Sequence, residues 1–245
     1  MILGLTGQGR MGTEIERLAL QDGHEIRFAL DEYSNADGIG LTKDALAGTE
    51  VVIDFSWPEA VLENIRRVAE AGVPMVVGTT GWYDRLGKAR ELIETHQTGL
   101  VYGANFSIGA NLFLKLAKIA TRLFDPFPAY DPYVFEQHHR EKVDAPSGTA
   151  LRLAEIVVAN TDRKTRVQIG NPEGRIAPEA LHVSSLRAGG ASGRHEVGFD
   201  SAADSIEIVH TARNREGFAR GALFAAEWIR GKKGVFEFAD LLELE

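Results

Sequence analysis

The stretch Ile2-Leu3-Gly4-Leu5-Thr6-Gly7-Gln8-Gly9-Arg10-Met11-Gly12 runs from an apolar segment straight into the pattern G-x-G-x-x-G. Ile2 to Thr6 reads as a short buried strand, and Met11, Ile15, Leu18 and Ala19 follow at i, i+4, i+7 and i+8, the stripe of a helix. A glycine pattern alone is a weak signal. Between a strand and a helix it predicts a dinucleotide-binding turn, in which Gly7 makes the tight bend, Gly9 lets backbone amides approach a pyrophosphate and Gly12 allows close helix-to-strand packing. The next strand, Glu25 to Leu30, ends at Asp31, near the expected distance for an acid that hydrogen-bonds an adenosine ribose. Glu32 follows rather than an arginine. A 2′-phosphate would meet two carboxylates there, so NADH is favoured over NADPH, although the same two residues would also suit an ordinary turn.

Strands and helices go on alternating. Val51 to Phe55, Pro74 to Val77 and Leu100 to Tyr102 read as strands, Pro58 to Ala71 and Trp82 to Thr95 as helices, and βαβ alternation implies a parallel sheet. The strand-end loops Ser56-Trp57-Pro58 and Gly78-Thr79-Thr80-Gly81 should face a ligand, with Gly78 and Thr79 in reach of a nicotinamide, or else are simple helix caps. After Tyr102 the alternation stops. A helix from Ile108 to Leu123 precedes strands at Tyr133 to Gln137, Val167 to Ile169, Leu181 to Arg187, Arg194 to Asp200 and Ser205 to Thr211. The connections at Ala188-Gly189-Gly190 and Ala202-Ala203-Asp204 are short enough for hairpins. The fold class is therefore α/β: an N-terminal Rossmann-like domain with a parallel sheet, residues 1–106, and an α+β domain with a mixed sheet, residues 107–214. A last amphipathic helix, Gly217 to Arg230, carries no sign of which domain it packs on.

Composition narrows the function. The 245 residues include 44% hydrophobic and 25% charged positions, and no apolar run reaches the roughly 20 residues of a membrane span. A net charge of −8 argues against a general nucleic-acid surface, and the absence of cysteine excludes disulfides and thiolate chemistry. Met1 to Leu5 enters a strand with no basic n-region, so a cytoplasmic location is expected.

The densest chemistry lies in E-Q-H-H-R-E-K-V-D-A-P-S-G-T-A, Glu136 to Ala150. It joins the strand ending near Gln137 to a helix whose N-cap is Ser147, leaving the amides of Gly148 and Thr149 as donors for an anion. A histidine proton donor with a lysine charge partner, acting on a small carboxylate, fits these residues. A solvated basic loop that only caps a helix fits the spacing too. Zinc at His138 and His139 is the weakest idea, because neighbours on a strand point to opposite faces. His24, His96, His182, His195 and His210 are taken as surface or structural residues.

Together these residues resemble the 4-hydroxy-tetrahydrodipicolinate reductase (dihydrodipicolinate reductase) family of the diaminopimelate route to lysine. The resemblance covers nearly the whole chain in order: G-Q-G-R-M-G from Gly7, D-F-S-W-P from Asp54, V-G-T-T-G from Val77, A-N-F-S-I-G-A-N from Ala104, H-H-R-E-K-V-D-A-P-S-G-T-A from His138, L-R-A-G from Leu186, G-R-H-E-V from Gly193 and H-T-A-R-N-R-E-G-F-A from His210. It implies reduction of 4-hydroxy-tetrahydrodipicolinate, or its dehydrated form, by NAD(P)H. His138 would be the proton donor and Lys142 the second catalytic residue, with His139, Gly148 and Thr149 on the substrate. Gly7, Gln8, Gly9, Arg10, Met11, Gly12, Asp31, Gly78, Thr79, Thr80, Gly103, Ala104, Asn105 and Phe106 would line the dinucleotide. No metal is implied; the family's assembly is a homotetramer built through the second domain's sheet, and its C-terminal helix returns to the cofactor domain, which assigns residues 215–245 to the first domain. Two departures stand out: the glycine loop is one residue shorter than the common form, and Trp57 replaces an arginine found in many members. A related imino-acid dehydrogenase, or a dinucleotide sensor that has lost the reaction, would share the glycine loop, but a sensor has no use for the proton donor.

Overall fold

Near-continuous apolar runs bounded by glycine and proline become strands buried on both faces, and the amphipathic runs between them become the helices that cover those faces. A computed structural model describes residues 1–242. The chain forms β1 (Ile2–Thr6), α1 (Arg10–Gln21), β2 (Glu25–Leu30), α2 (Lys43–Leu46), β3 (Val51–Asp54), α3 (Pro58–Glu70), β4 (Met75–Val77), α4 (Leu86–His96) and β5 (Gly99–Tyr102). It continues with α5 (Ile108–Phe124), β6 (Asp131–His138), α6 (Gly148–Val158), β7 (Arg166–Ile169), β8 (Ala180–Arg187), β9 (Arg194–Asp200), β10 (Ser205–Thr211), α7 (Glu216–Ile229) and β11 (Gly234–Glu237). Two compact units result, one of Met1–Ile108 with the segment from Arg215 onward, the other Gly109–Asn214. Residues 243–245, which the sequence reading assigned to the first domain, lie outside the described residues.

The first unit is a six-stranded parallel sheet in the order β11-β5-β4-β3-β1-β2. Ile15 and Leu18 of α1 pack with Ala222, Ala225 and Ile229 of α7 in one core cluster, while Val61 and Ile65 of α3 pack with Ala89 and Ile93 of α4 in another. The sheet is thus wound on both faces, and the alanines of α7 place that helix in this unit. Strand order reverses between β1 and β3, so the carboxyl ends of those two strands flank the crevice where such sheets bind ligands. The predicted helix from Trp82 to Thr95 is instead a 3-10 turn at Tyr83–Arg85 followed by α4. Trp82 is held out of the helix by burial and by its indole N–H, which donates to the Thr79 carbonyl at 2.8 Å.

In the second unit a five-stranded mixed sheet runs β10-β9-β6-β8-β7. β6 is central, parallel to β8 and antiparallel to β9. Phe113 and Ala117 of α5 and Leu153 and Val157 of α6 pack with Val134, Val183 and Val197, so both helices cover one face. β9 and β10 form the predicted hairpin. The connection at Ala188–Gly190 does not, because β6 lies between β8 and β9. Residues 188–193 are long enough to span the roughly 10 Å between strands two apart. They wrap the end of β6, with Ala188 N–H donating to His138 O at 3.0 Å and Arg140 N–H to Gly189 O at 3.2 Å. No helix of the described residues is long and apolar enough to cross a membrane.

Candidate active site

A cleft of about 920 Å³ opens at the ends of β1 and β3, walled by Gly7–Met11, Asp31 and Glu32, Ser56–Pro58 and Gly78–Thr80. Gly7 has φ +86°, and a Cβ there would stand 2.2 Å from the Phe55 carbonyl oxygen, so the bend admits only glycine. The Gly7 and Gln8 amides donate to Leu30 O at 2.8 and 3.2 Å, which ties the loop to β2. A Cβ on Gly9 would meet nothing within 4 Å, whereas one on Gly12 would lie 2.4 Å from Gly7 O. Gly9 therefore faces open space and Gly12 sets helix against strand. The amides of Arg10 and Met11, in the first turn of α1, have no i→i−4 partner within the helix and are the donors available to an anion.

Asp31 both makes a turn and borders the cleft. Its Oδ1 accepts from the amides of Tyr33 and Ser34 at 3.1 and 2.8 Å and from the Ser34 hydroxyl at 2.7 Å. The Ser34 bonds hold its carboxyl below the usual range, so it stays ionised. The indole N–H of Trp57, a residue 61% exposed, donates to Glu32 Oε2 at 3.2 Å.

At the end of β3, Asp54 is fully buried. Its carboxylate accepts from Thr6 Oγ1 at 2.7 Å, Asn64 Nδ2 at 2.8 Å, Thr79 Oγ1 at 2.7 Å, and the Ser56 amide and hydroxyl at 3.1 and 2.9 Å. One side chain thus pins the ends of β1, β3 and β4. The free first-turn amides, the space at Gly9 and the acid at the end of β2 fit a dinucleotide. Gly103, Ala104, Asn105 and Phe106 follow β5 and do not wall this cleft; the Phe106 ring is buried 4.5 Å from Phe238 and 5.9 Å from Phe55.

In the second unit, Val134, Glu136 and His138 alternate along the helix-covered face of β6 and are all buried. Register then decides the neighbours: Arg187 of β8 stands opposite His138, and His195 of β9 opposite Glu136. Glu136 Oε1 accepts from Arg187 Nη2 at 2.6 Å, and Glu136 Oε2 meets His138 Nδ1. Burial pushes the Glu136 carboxyl up, but the Arg187 guanidinium and neighbouring groups more than reverse this, and the group ends below its ordinary value. The His138 and His195 rings lie 5.0 Å apart, edge to face. Burial lowers His138, against the pull of Glu136, and lowers His195 to about 4, so both are neutral near pH 7.

His195 Nε2 lies 3.0 Å from Ser147 Oγ, which also caps α6 by accepting from the Ala150 amide at 3.2 Å. Beyond that cap the Gly148 and Thr149 amides start the helix, and a Cβ on Gly148 would meet nothing within 4 Å. Lys142 Nζ is paired with Asp144 Oδ1 at 2.7 Å, and the Lys142 amide donates to His139 O at 3.2 Å. Glu136, His138 and His195 offer ligand atoms within 4.8 Å of one another. A metal ion held through Glu136 Oε2 and His138 Nδ1 would have to replace the hydrogen bond between those two atoms.

Two family models match the chain, "Dihydrodipicolinate reductase, N-terminus" over residues 1–106 and "Dihydrodipicolinate reductase, C-terminus" over 109–242. The chain belongs to the dihydrodipicolinate reductase family. It is 35% identical over 243 residues, 99% of this chain and 98% of the other, to a protein named 4-hydroxy-tetrahydrodipicolinate reductase from Christiangramia forsetii. To the protein of that name from Chromobacterium violaceum it is 40% identical, covering 96% of each. A solved dihydrodipicolinate reductase from Paenisporosarcina sp. TG-14, described as dipicolinate-bound, shares the fold with a TM-score of 0.80 at 24% identity, covering 99% of both chains.

For a dihydrodipicolinate reductase, the residues that sequence reasoning missed are those delivered by strand pairing. His195, taken by default as structural or surface, is buried between His138 and Ser147. Glu136 and Arg187 were not singled out at all. One signal was present in the sequence: a glutamate placed two residues from Val134 and two from His138, on the buried phase of the strand's alternation.

Proposed function

We propose that this chain is a cytoplasmic, NADH-preferring 4-hydroxy-tetrahydrodipicolinate reductase, reducing that cyclic dicarboxylate, or its dehydrated form, in lysine biosynthesis through diaminopimelate. The observation that carries the reading is the second-unit constellation of His138, backed by a buried carboxylate, with Lys142 and the open amide end of α6 in the same loop. A dicarboxylate needs two anion sites. The Gly148 and Thr149 amides serve one carboxylate, and His139 with Lys142 the other, Lys142 exchanging Asp144 for the substrate.

A reduced nicotinamide bound in the first unit's cleft supplies the hydride. Gly7 to Gly12 and Asp31 hold the pyrophosphate and ribose ends, and Gly78, Thr79 and Thr80 border the reactive end. As the substrate ring gains electrons, Lys142 stabilises the developing charge and His138 delivers the proton. Because burial leaves free His138 neutral, the bound dianion must help protonate it, so turnover should fall as pH rises through its value in the complex.

Three measurements test the reading. A bacterium that lacks its own reductase and requires diaminopimelate should grow without the supplement when it expresses this chain; no growth despite soluble, NADH-binding protein would contradict the assignment. KM for NADH should lie below that for NADPH, since Asp31 and Glu32 oppose a 2′-phosphate. Asp31→Ala should raise KM for NADH about tenfold, the equivalent of one charge-assisted hydrogen bond; an unchanged value would remove Asp31 from the site.

We also assign the subunit contact of a homotetramer to the sheet face opposite α5 and α6, which carries Tyr133, Phe135, Leu186 and Val209, the last two exposed. Sedimentation should give four chains of 26.8 kDa, and a monomer would refute this.

A further inference from the structure

Glu136 has no exposed surface, yet it sits on the central strand of its sheet. Burying a carboxylate is costly unless it is paired, and here each oxygen has a partner: Oε1 takes Arg187 Nη2 at 2.6 Å and Oε2 takes His138 Nδ1. The guanidinium is itself fixed, since Arg187 Nη2 also lies 2.6 Å from the Asp144 carbonyl. An ionised carboxylate only accepts hydrogen bonds, so the contact requires a hydrogen on Nδ1.

The opposite ring atom has a different setting. Gly193, at φ +130°, stands against Nε2, where a Cβ would come within 3.0 Å. His195 packs edge to face on the ring and is anchored by Ser147, which leaves the imidazole one orientation.

We propose that Glu136 is a positioning residue for the reaction: by holding the Nδ1 proton of His138 it makes Nε2 the atom that delivers the transferred proton. The Nε2–H bond of the imidazolium breaks, a bond forms from that proton to the substrate atom that has gained the electron pair, and the ring is left neutral with Nδ1–H still on Glu136. Solvent then returns a proton to Nε2. The charged and titratable groups around the ring are Glu136 on its own strand, Arg187 on β8, His195 on β9 and Lys142 on the following loop. Among them only Glu136 favours the imidazolium; Arg187, Lys142 and burial oppose it. The inference rests on the reading of His138 as proton donor.

Glu136→Gln separates this role from simple packing, because it keeps the shape but leaves one oxygen for two donors. Arg187 carries a full charge and claims that oxygen, so the amide NH2 faces Nδ1 and drives the ring to the Nε2–H tautomer. Nitrogen-15 spectra of neutral His138 should show Nδ1 protonated in the wild type and Nε2 protonated in the variant. kcat should fall about 10²- to 10³-fold, KM for NADH should stay unchanged, and the high-pH limb of the kcat profile should move to lower pH. A wild-type ring protonated at Nε2 would overturn the proposal, and so would a variant with kcat within about threefold and an unmoved limb. If the variant does not fold, the wild-type tautomer still decides. That spectrum needs no turnover, so loss of the reaction assignment and loss of the pairing are told apart.

Discussion

Lys142→Ala is expected to lower kcat by about 10²- to 10³-fold while the dissociation constant for NADH stays within about twofold. Lys142 lies on the loop after β6, in the second unit, whereas the dinucleotide cleft belongs to the first. Its partner in the free protein, Asp144, is more than half exposed, and a surface pair of that kind adds at most about 1 kcal/mol to folding. A large loss of turnover would therefore report chemistry rather than instability. Steady-state kinetics and NADH fluorescence titration on one preparation make the comparison, with the unfolding midpoint as control. Near-normal turnover would remove Lys142 from the mechanism and with it the charge partner for the substrate.

The largest expected loss of stability belongs to Asp54→Ala. The substitution takes the acceptor away from Thr6, Ser56, Asn64 and Thr79 together, on a side chain with no exposed surface. Each orphaned donor costs roughly 1–3 kcal/mol, and water entering the gap recovers part of it, so a net loss of about 3–5 kcal/mol is expected. Urea unfolding followed by tryptophan fluorescence would measure it, since Trp57, Trp82 and Trp228 all belong to the first unit. NADH affinity should weaken too, because the loops that Asp54 ties at the ends of β1, β3 and β4 are cleft walls. A loss below about 1 kcal/mol would mean that these loops hold their shape without the carboxylate.

What the sequence could reveal followed from whether the deciding forces were local. The first sheet was legible because strands such as Val51-Val52-Ile53 are apolar on both faces and because Gly7 and Gly12 announce a bend and a close approach. β11 was missed: Gly234–Glu237 is a short, half-buried edge strand, defined only by its pairing with β5. The four-residue α2 escaped for the same reason of length.

In the second unit His138, His139, Lys142 and the Ser147 cap were visible because they crowd into one loop. Arg187 and His195 were not, since they reach His138 only through the register of β6 with β8 and β9. A hairpin at Ala188–Gly190 would have paired β8 with β9 and excluded β6 from between them. The same insertion of β6 between β8 and β9 thus breaks the expected hairpin and brings His195 to His138.

Hydride transfer itself is read from nicotinamide absorbance while 4-hydroxy-tetrahydrodipicolinate is generated in the cuvette from aspartate semialdehyde and pyruvate by its synthase, with wild type and Lys142→Ala in parallel. Rapid NADH oxidation that depends on the synthase and nearly vanishes in the variant is the expected result. Wild-type protein that binds NADH but oxidises none under these conditions would contradict it.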